Sequence, residues 1–541
     1  MTIGMSISDA KELENSLSML VVSIVFFFIF KGISKKFEKF KIIMKPLKIF
    51  FILAISSSSI SILKMFIGNG IYNLIEIVWI IGTIYFIYVV IKGDSNTGHL
   101  KDLINIKSLI KGDFKSIMDI KKHRESSAII FGKTEKTGKV ICKLDNETGH
   151  VAIFGGSQTG KSTSVAMPTL LEWEGSAFII DVKKELHPST SGYREKQFKN
   201  KIYAFDIDDE NCDCYDPLAL VNDVMSASEL ARNMIPTPKE GDPFWAESSQ
   251  GILAAAIIDG KEKGETFGEI CKKILITSPQ VLVSKLIKSK NEDVSLLASV
   301  GNDAEDKTIK NIFSTLRTNL QIYASDKNIQ RATRKSDWTP KTLEEKATIY
   351  IKIADGNVEQ YSGILRVIIS QTLRYLTTRK DRRQPAILML LDELAQLGKV
   401  HGLRKAMGTL ASRNVHIVPM LQSLSDLDVN YSKDERKVML DNCRYIAILG
   451  ISDGDTREYF SKLAGTHKIW QKSYNNGGLI GLNKGDTDSQ VEERIFKPEE
   501  FGQIREDKKV ILFGFRKAMR LDKLFYYESP KYNKIVKTYK L

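Results

Sequence analysis

Cysteine is scarce in this chain of 541 residues, and what there is forms no pattern. Cys142, Cys212, Cys214, Cys271 and Cys443 make neither a disulfide ladder nor a zinc spacing. Cys212 and Cys214 stand two apart with no second pair and no histidine nearby, so reduced, structural thiols are the reading. The seven histidines show no metal-ligand spacing either. No internal repeat and no long low-complexity tract is present, which excludes a solenoid and a largely disordered chain. Acidic residues are the minority charge, 65 against 79 basic, and the net charge of +14 points to acidic partners: nucleic acid, anionic lipid or both. With 43% hydrophobic residues the chain is long enough for more than one packed domain plus a membrane segment.

Long apolar runs are confined to the N-terminus: Ser16–Phe30, Leu47–Leu63 and Ile71–Ile91. The first two are short for a bilayer core of about 30 Å, and Lys31, Lys48 and Lys64 at their ends could snorkel to make up the difference. Between the first two lies a loop with Lys31, Lys35, Lys36, Lys39, Lys41, Lys45 and Lys48 against the single acid Glu38, which should face the cytoplasm. Asp9, Glu12 and Glu14 precede the first run against Lys11, consistent with an outside terminus and unlike a cleavable signal peptide. Three spans put everything after Lys92 in the cytoplasm; if the first lies in the interface, a two-span hairpin remains. Glu76 in the third run sits near its outer end.

The most informative residues are Gly155-Gly156-Ser157-Gln158-Thr159-Gly160-Lys161-Ser162, followed by Thr163. They follow the apolar run Val151–Phe154 and precede a helical pattern, the strand–loop–helix setting of a phosphate-binding loop. Its glycines let backbone N–H groups turn toward an anion, and the helix N-terminus adds partial positive charge. Lys161 would reach the β- and γ-phosphates and the Ser162 hydroxyl would ligate magnesium. A second apolar run, Ala386–Leu391, ends in Asp392-Glu393. Carboxylates at the tip of a buried strand are costly unless used. Asp392 would hold magnesium through water and Glu393 would polarise the attacking water.

Strands are expected at 151–156, 177–182, 201–207, 347–354, 386–391, 415–421, 445–451 and 510–515, mostly apolar and separated by helical stretches, which argues a parallel sheet covered on both faces. From Leu218 to Trp338 the strand signal disappears. Ser278-Pro279 opens a short helix, and Ile309, Ile312, Phe313, Leu316, Leu320 and Tyr323 keep helical spacing. The expected organisation is a membrane segment, 1–91; a membrane-proximal connector, 92–145; a nucleotide-binding domain in two parts, 146–217 and 339–541; and an all-α domain, 218–338, inserted between them.

With these pieces in order, the chain resembles the type IV secretion coupling proteins, the TraG/TraD family of membrane-anchored, DNA-pumping ATPases. The likeness rests on the membrane segment, His150–Ser162, Asp181-Val-Lys183-Lys-Glu185-Leu, Asp242-Pro-Phe-Trp245-Ala-Glu, Leu391–Lys399, Leu421-Gln422-Ser-Leu-Ser, and Ile451–Ser461 with Gly465. Lys184 replaces the family's glycine. The resemblance implies an α/β fold: a RecA-like P-loop domain with a parallel-rich central sheet, an inserted all-α domain and an N-terminal transmembrane helical segment. It implies ATP and magnesium as cofactors and a homo-hexameric ring at the cell membrane, multi-pass, with its ATPase domain in the cytoplasm. The implied partners are relaxase-bound single-stranded DNA and components of a type IV secretion channel. Gln422 would sense the γ-phosphate or orient water; otherwise it is an ordinary polar residue at a turn. Arg413 is the candidate arginine finger acting across a ring interface, with Arg404 in reserve, a purely structural salt-bridge role being the other reading of either; many relatives carry that arginine two positions earlier, where this chain has Ala411. Asp181 and Lys183 would hold the nucleotide or a subunit contact, or form a helix N-terminal charge pair. Arg331, Arg334 and Lys335, then Arg379, Lys380, Arg382 and Arg383, are candidate phosphate-contacting patches, though such runs are more often solvated faces.

Three rival readings stand beside this one. A double-stranded DNA translocase of the FtsK type would carry a C-terminal winged-helix reader, and the sequence ends soon after its last expected strand. A coupling ATPase delivering proteins would share the motor and differ in the helical insert. A non-hydrolysing membrane receptor would be expected to lose one of Lys161, Asp392, Glu393 and Gln422.

Overall fold

The computed structural model describes residues 115–116, 127–301, 305–380, 384–474, 486–514 and 517–540. The three apolar N-terminal runs lie outside the described residues; among those described, no helix is long and apolar enough to cross a membrane.

Twelve strands form one sheet. In chain order they are β1 (Lys115–Ser116), β2 (Ala128–Lys133), β3 (Val140–Leu144), β4 (His150–Phe154), β5 (Ser176–Asp181), β6 (Lys201–Asp206), β7 (Ala347–Lys352), β8 (Ile387–Leu391), β9 (Val415–Leu421) and β10 (Cys443–Ile448). After β11 (Thr466–Tyr474) and β12 (Asp486–Arg494), which pair as a separate two-stranded sheet, come β13 (Lys509–Gly514) and β14 (Lys517–Asp522). The spatial order is β1-β3-β2-β14-β13-β10-β4-β9-β8-β5-β7-β6. From β10 to β6 every pairing is parallel. On the other side of β10 every pairing is antiparallel.

The inner parallel strands are mostly apolar and almost wholly buried because both of their faces are covered, whereas β6 at the edge is partly exposed. Phe154, Ile180, Ile351, Leu391 and Leu421 belong to one core, and their chain neighbours Ile153, Ile179, Tyr350, Leu390 and Met420 to another. That is the period of two expected of a strand. Helix α1 (Met167–Glu172), carrying Leu170, covers the second face together with Leu186 of α2 (Leu186–Phe198).

Between β6 and β7 the described residues contain no strand. They fold as helices α3 (Val224–Met234), α4 (Phe244–Glu262), α5 (Phe267–Ile276), α6 (Pro279–Ile287), α7 (Glu292–Ala298), α8 (Asp306–Ser325) and α9 (Lys327–Ala332). Their starts are locally encoded. Asp223 accepts from Ser226 N at 2.7 Å ahead of α3, and Thr266 and Glu269 form a capping box on α5. Ser278 precedes Pro279 as expected, but its hydroxyl donates to Gln280 rather than capping the backbone. On α8 the buried side chains are Ile309, Ile312, Phe313, Leu316, Leu320 and Tyr323, the residues with helical spacing. These side chains and those of the sheet's first face form a single continuous core.

Helix α10 (Val358–Leu376) joins the two regions. Its Arg366, 5% exposed, donates through Nε to Asn233 O of α3 at 2.8 Å and through a terminal nitrogen to Leu397 O at 2.8 Å. Asn233 Oδ1 in turn accepts from His401 N at 3.0 Å.

Two expectations change. The stretch 128–144, read as part of a connector, supplies β2 and β3 to the sheet itself. Alternation was hidden there by an irregular register between Ile130 and Gly132. A Cβ on Gly132 would lie 2.5 Å from Asp522 O, so glycine is what lets β14 approach. The strand at 510–515 exists as β13, but it runs antiparallel to β10.

Candidate functional site

The loop after β4 is shaped by its backbone. Gly155 N donates to Leu421 O and Gly156 N to Gly450 O, both at 2.9 Å, so the loop hangs between β9 and the end of β10. Gln158 and Gly160 have φ of 59° and 93°, and a Cβ on Gly155 would meet Thr159 Oγ1 at 2.4 Å. Only glycine fits that approach. The helix then starts at Lys161 with a π-helical turn to Ala166 and continues as α1.

Lys161, 6% exposed, turns back over this loop. Its Nζ donates to Gly155 O at 2.7 Å and to Glu393 Oε1 at 3.1 Å. Glu393 Oε2 accepts from Gln422 Nε2 at 3.1 Å. Strands β4, β8 and β9 are neighbours, so their C-terminal ends deliver the lysine, the glutamate and the glutamine to one point. Glu393 holds its place with φ of 48°, in the left-handed region that non-glycine residues adopt reluctantly. Asp392 lies behind it, 3% exposed, with Oδ1 accepting from Glu393 N at 3.1 Å. Burial, and then the Glu393 charge, push the Asp392 carboxyl up to about 7, against the opposing pull of Lys161.

A cleft of about 510 Å³ opens over residues 156–163 and Glu393. Ser162 and Asp392 offer oxygen donors, the set a hard divalent cation such as magnesium takes. A buried carboxyl raised that far is one a nearby cation would return to its ionised form. The residues therefore fit magnesium, and this donor pair is what would hold it.

Other candidates fall elsewhere. Arg413 lies before β9, at the end of the parallel strands opposite the loop, and donates to the carbonyls of Thr377 and Arg379. It does not reach the cleft of its own chain. Arg404 is exposed on α11 (Leu403–Leu410). Asp181 accepts from Glu185 N at 3.0 Å and His187 N at 2.9 Å, fixing the entry to α2, and burial raises its carboxyl. Lys183 does line the cleft. Lys184, where the family has glycine, has φ of 52° and bonds Asp206 and Asp208 at 2.7 and 2.9 Å. Arg331 donates to the carbonyls of Ile207 and Asp209, and Arg379 to Glu344 and Pro385 O, so both serve the chain's own packing.

The opposite wall of the cleft was missed from sequence. Arg505, Lys508, Lys523, Phe525 and Tyr527 line it. Phe525 and Tyr527 stack with centroids 5.2 Å apart, and Tyr526 N donates to Thr163 O at 3.0 Å. Basic residues just before β13 and basic and aromatic residues just after β14 were the available signal.

A family model for type IV secretory system conjugative DNA transfer matches residues 101–541. The chain belongs to that family. Among its relatives, Protein VirD4 of Agrobacterium fabrum strain C58 is 25% identical over 449 residues, covering 77% of this chain and 65% of VirD4. The conjugal transfer protein TraG of Escherichia coli is 25% identical over 430 residues, covering 70% of this chain and 66% of TraG. The chain thus spans just under two thirds of the length of these relatives. The bacterial conjugative coupling protein TrwB, solved without its first residues and unbound, superposes with a TM-score of 0.57 at 17% identity, covering 77% of this chain and 94% of that one. TrwB with the non-hydrolysable ATP analogue ADPNP gives 0.58 at 16% identity, covering 76% and 95%. TrwB has also been solved with ADP and Mg2+, giving 0.55 at 17% identity and the same coverage. The family member described here shares the TrwB fold, an α/β architecture around a mixed, mostly parallel sheet.

Proposed function

We propose that this chain is a membrane-anchored ATPase that recruits a relaxase–DNA complex and drives single-stranded DNA toward a type IV secretion channel, using ATP and magnesium. The observation that carries it is the contiguous set Lys161, Glu393 and Gln422 at the mouth of a phosphate-type loop. Lys161 would exchange Glu393 for the β- and γ-phosphates of ATP, a stronger anion. Glu393, released but still held by Gln422, then accepts the proton of the attacking water, and Gln422 orients that water. Ser162 and Asp392 would hold magnesium, whose charge offsets that of the phosphates. Arg413 acts, in this reading, across the interface of a homo-hexamer at the neighbouring copy's phosphates. The names of the relatives, and the ADPNP and ADP–Mg2+ complexes of TrwB, support the nucleotide and the process. The lysine-rich loop 31–48 supports a cell-membrane location with the ATPase domain in the cytoplasm.

The test is ATP hydrolysis by the full chain in detergent, with and without single-stranded DNA, beside Lys161→Ala. DNA stimulation that disappears in the variant supports the proposal. Hydrolysis indifferent to DNA moves the reading to a coupling ATPase that delivers proteins, and absence of hydrolysis removes the motor.

A further inference from the structure

Lys523 follows β14 and is 3% exposed, yet it lines the same cleft as the phosphate loop. Among the described residues its ammonium has no hydrogen-bond or ion-pair partner. A side chain this enclosed, whose ammonium opens on the cleft with no counter-charge in contact, is costly to keep, and a fold that keeps one has a use for it. Its backbone is fixed by Lys523 N donating to Lys508 O at 2.8 Å. The residues after it sit on the loop's helix, for a Cβ on Gly160 would come within 2.9 Å of Phe525 Cε1. Arg505 stands beside it, with Cβ only 2.9 Å from where a Cβ on Gly450 would lie, and Gly450 O is the acceptor of Gly156 N. Among the described residues the Arg505 side chain has one loose partner, Glu506, at 3.8 Å. Lys508, by contrast, is paired with Glu528 at 2.8 Å.

We infer that Lys523, assisted by Arg505, is a phosphate-binding residue acting within its own chain on the diphosphate part of the nucleotide, the part common to ADP and ATP. The sheet order makes the assignment. Glu393 and Gln422 follow β8 and β9, on one side of β4, and act on the terminal phosphate in the reading proposed above. Lys523 arrives through β10, β13 and β14, on the other side. The two sets therefore grip the nucleotide from opposite flanks of the loop. Burial, and then the Arg505 charge, lower the Lys523 ammonium to about 8, and an arriving polyphosphate would relieve both causes. The other charged groups lining the cleft are Lys161 and Glu393, Lys183 and Glu185 from the β5–α2 turn, and Glu506 and Lys508 beside Arg505.

This inference rests on the nucleotide reading, and the experiment separates the two. Dissociation constants for MgADP and for a non-hydrolysable ATP analogue with magnesium are measured on the full chain in detergent. The proteins compared are wild type, Lys523→Met, Lys523→Arg and Lys161→Ala. Loss of one charge-assisted contact should weaken both ligands by the same factor, about tenfold, in Lys523→Met. Lys523→Arg should recover most of it. Without nucleotide, the methionine variant should melt no lower than wild type, because an unpaired buried charge has been removed. Unchanged affinities in Lys523→Met, or loss confined to the triphosphate, would overturn the assignment. So would a lower melting temperature without nucleotide, which would mark a structural role. Wild-type binding that Lys161→Ala abolishes and Lys523→Met leaves intact sinks this inference alone, whereas a wild type that binds neither nucleotide sinks both.

Discussion

Replacing Glu393 by glutamine separates hydrolysis from binding. Lys161 and Glu393 are 3.1 Å apart, with side chains 6% and 7% exposed. The carboxylate also accepts from Gln422 on its other oxygen. Glutamine offers one oxygen to these two donors, so one contact is lost and the charge goes with it. A hydrogen bond to a charged group contributes about 1.5–3 kcal/mol. If the amide oxygen stays with Lys161 and retains half of that, roughly 1 kcal/mol less must be overcome when phosphate takes the lysine, or about fivefold tighter nucleotide. Loss of the general base should lower kcat by about 10²–10⁴-fold. The neutral neighbour also removes the second cause of the raised Asp392 carboxyl, so magnesium should bind at lower pH than in wild type. The assays are steady-state hydrolysis and equilibrium binding of a non-hydrolysable analogue at several pH values. Weaker nucleotide binding in Glu393→Gln, or a kcat within tenfold of wild type, would refute this account of the lysine–glutamate contact.

Asp392 makes folding pH-dependent. Its folded carboxyl is raised to about 7 from an ordinary value near 3.8, so between those values the unfolded chain is ionised while the folded one keeps its proton. Without magnesium, stability should fall as pH rises through that window, by up to about 4 kcal/mol, and level off above it. Asp392→Asn should flatten the melting-temperature profile, and magnesium should offset the loss in wild type only. Arg366→Ala leaves Asn233 O and Leu397 O without their buried donor and should cost about 3 kcal/mol, read from the urea midpoint. Arg366→Lys should recover less than half, since one ammonium cannot reproduce the forked geometry, and a loss below about 1 kcal/mol would contradict that role.

The half of the site on parallel strands was legible because each functional residue there directly follows an apolar run. Lys161 follows β4 and its glycines, Asp392 and Glu393 follow β8, and Gln422 follows β9. The strand starts and ends fell within a few residues of those read from hydrophobicity, and α8 showed its buried face in its spacing. The antiparallel half was less legible for physical reasons. β14, Lys-Ala-Met-Arg-Leu-Asp, alternates with charged residues, and β2 carries a register break at Gly132. Lys523 and Arg505 bear no motif. What brings them to the cleft is the packing of β13 and β14 beside β10, a long-range pairing that local pattern does not report. Arg413 could be picked out only as an arginine two residues from the family's position, and nothing local showed the carbonyls that hold its side chain.

The continuous core between the helical insert and the first face of the sheet sets how this molecule can move. A lobe that shared only a linker with its neighbour could swing on a hinge. Here Phe154 and Leu391 belong to the same packed interior as Leu316 and Leu320, and Arg366 bolts α3 to the loop that follows Glu393. Close-packed interiors transmit displacement rather than absorb it. Force generated at the phosphate loop would therefore turn the helical insert and the sheet together, as one solid body, rather than flex one against the other.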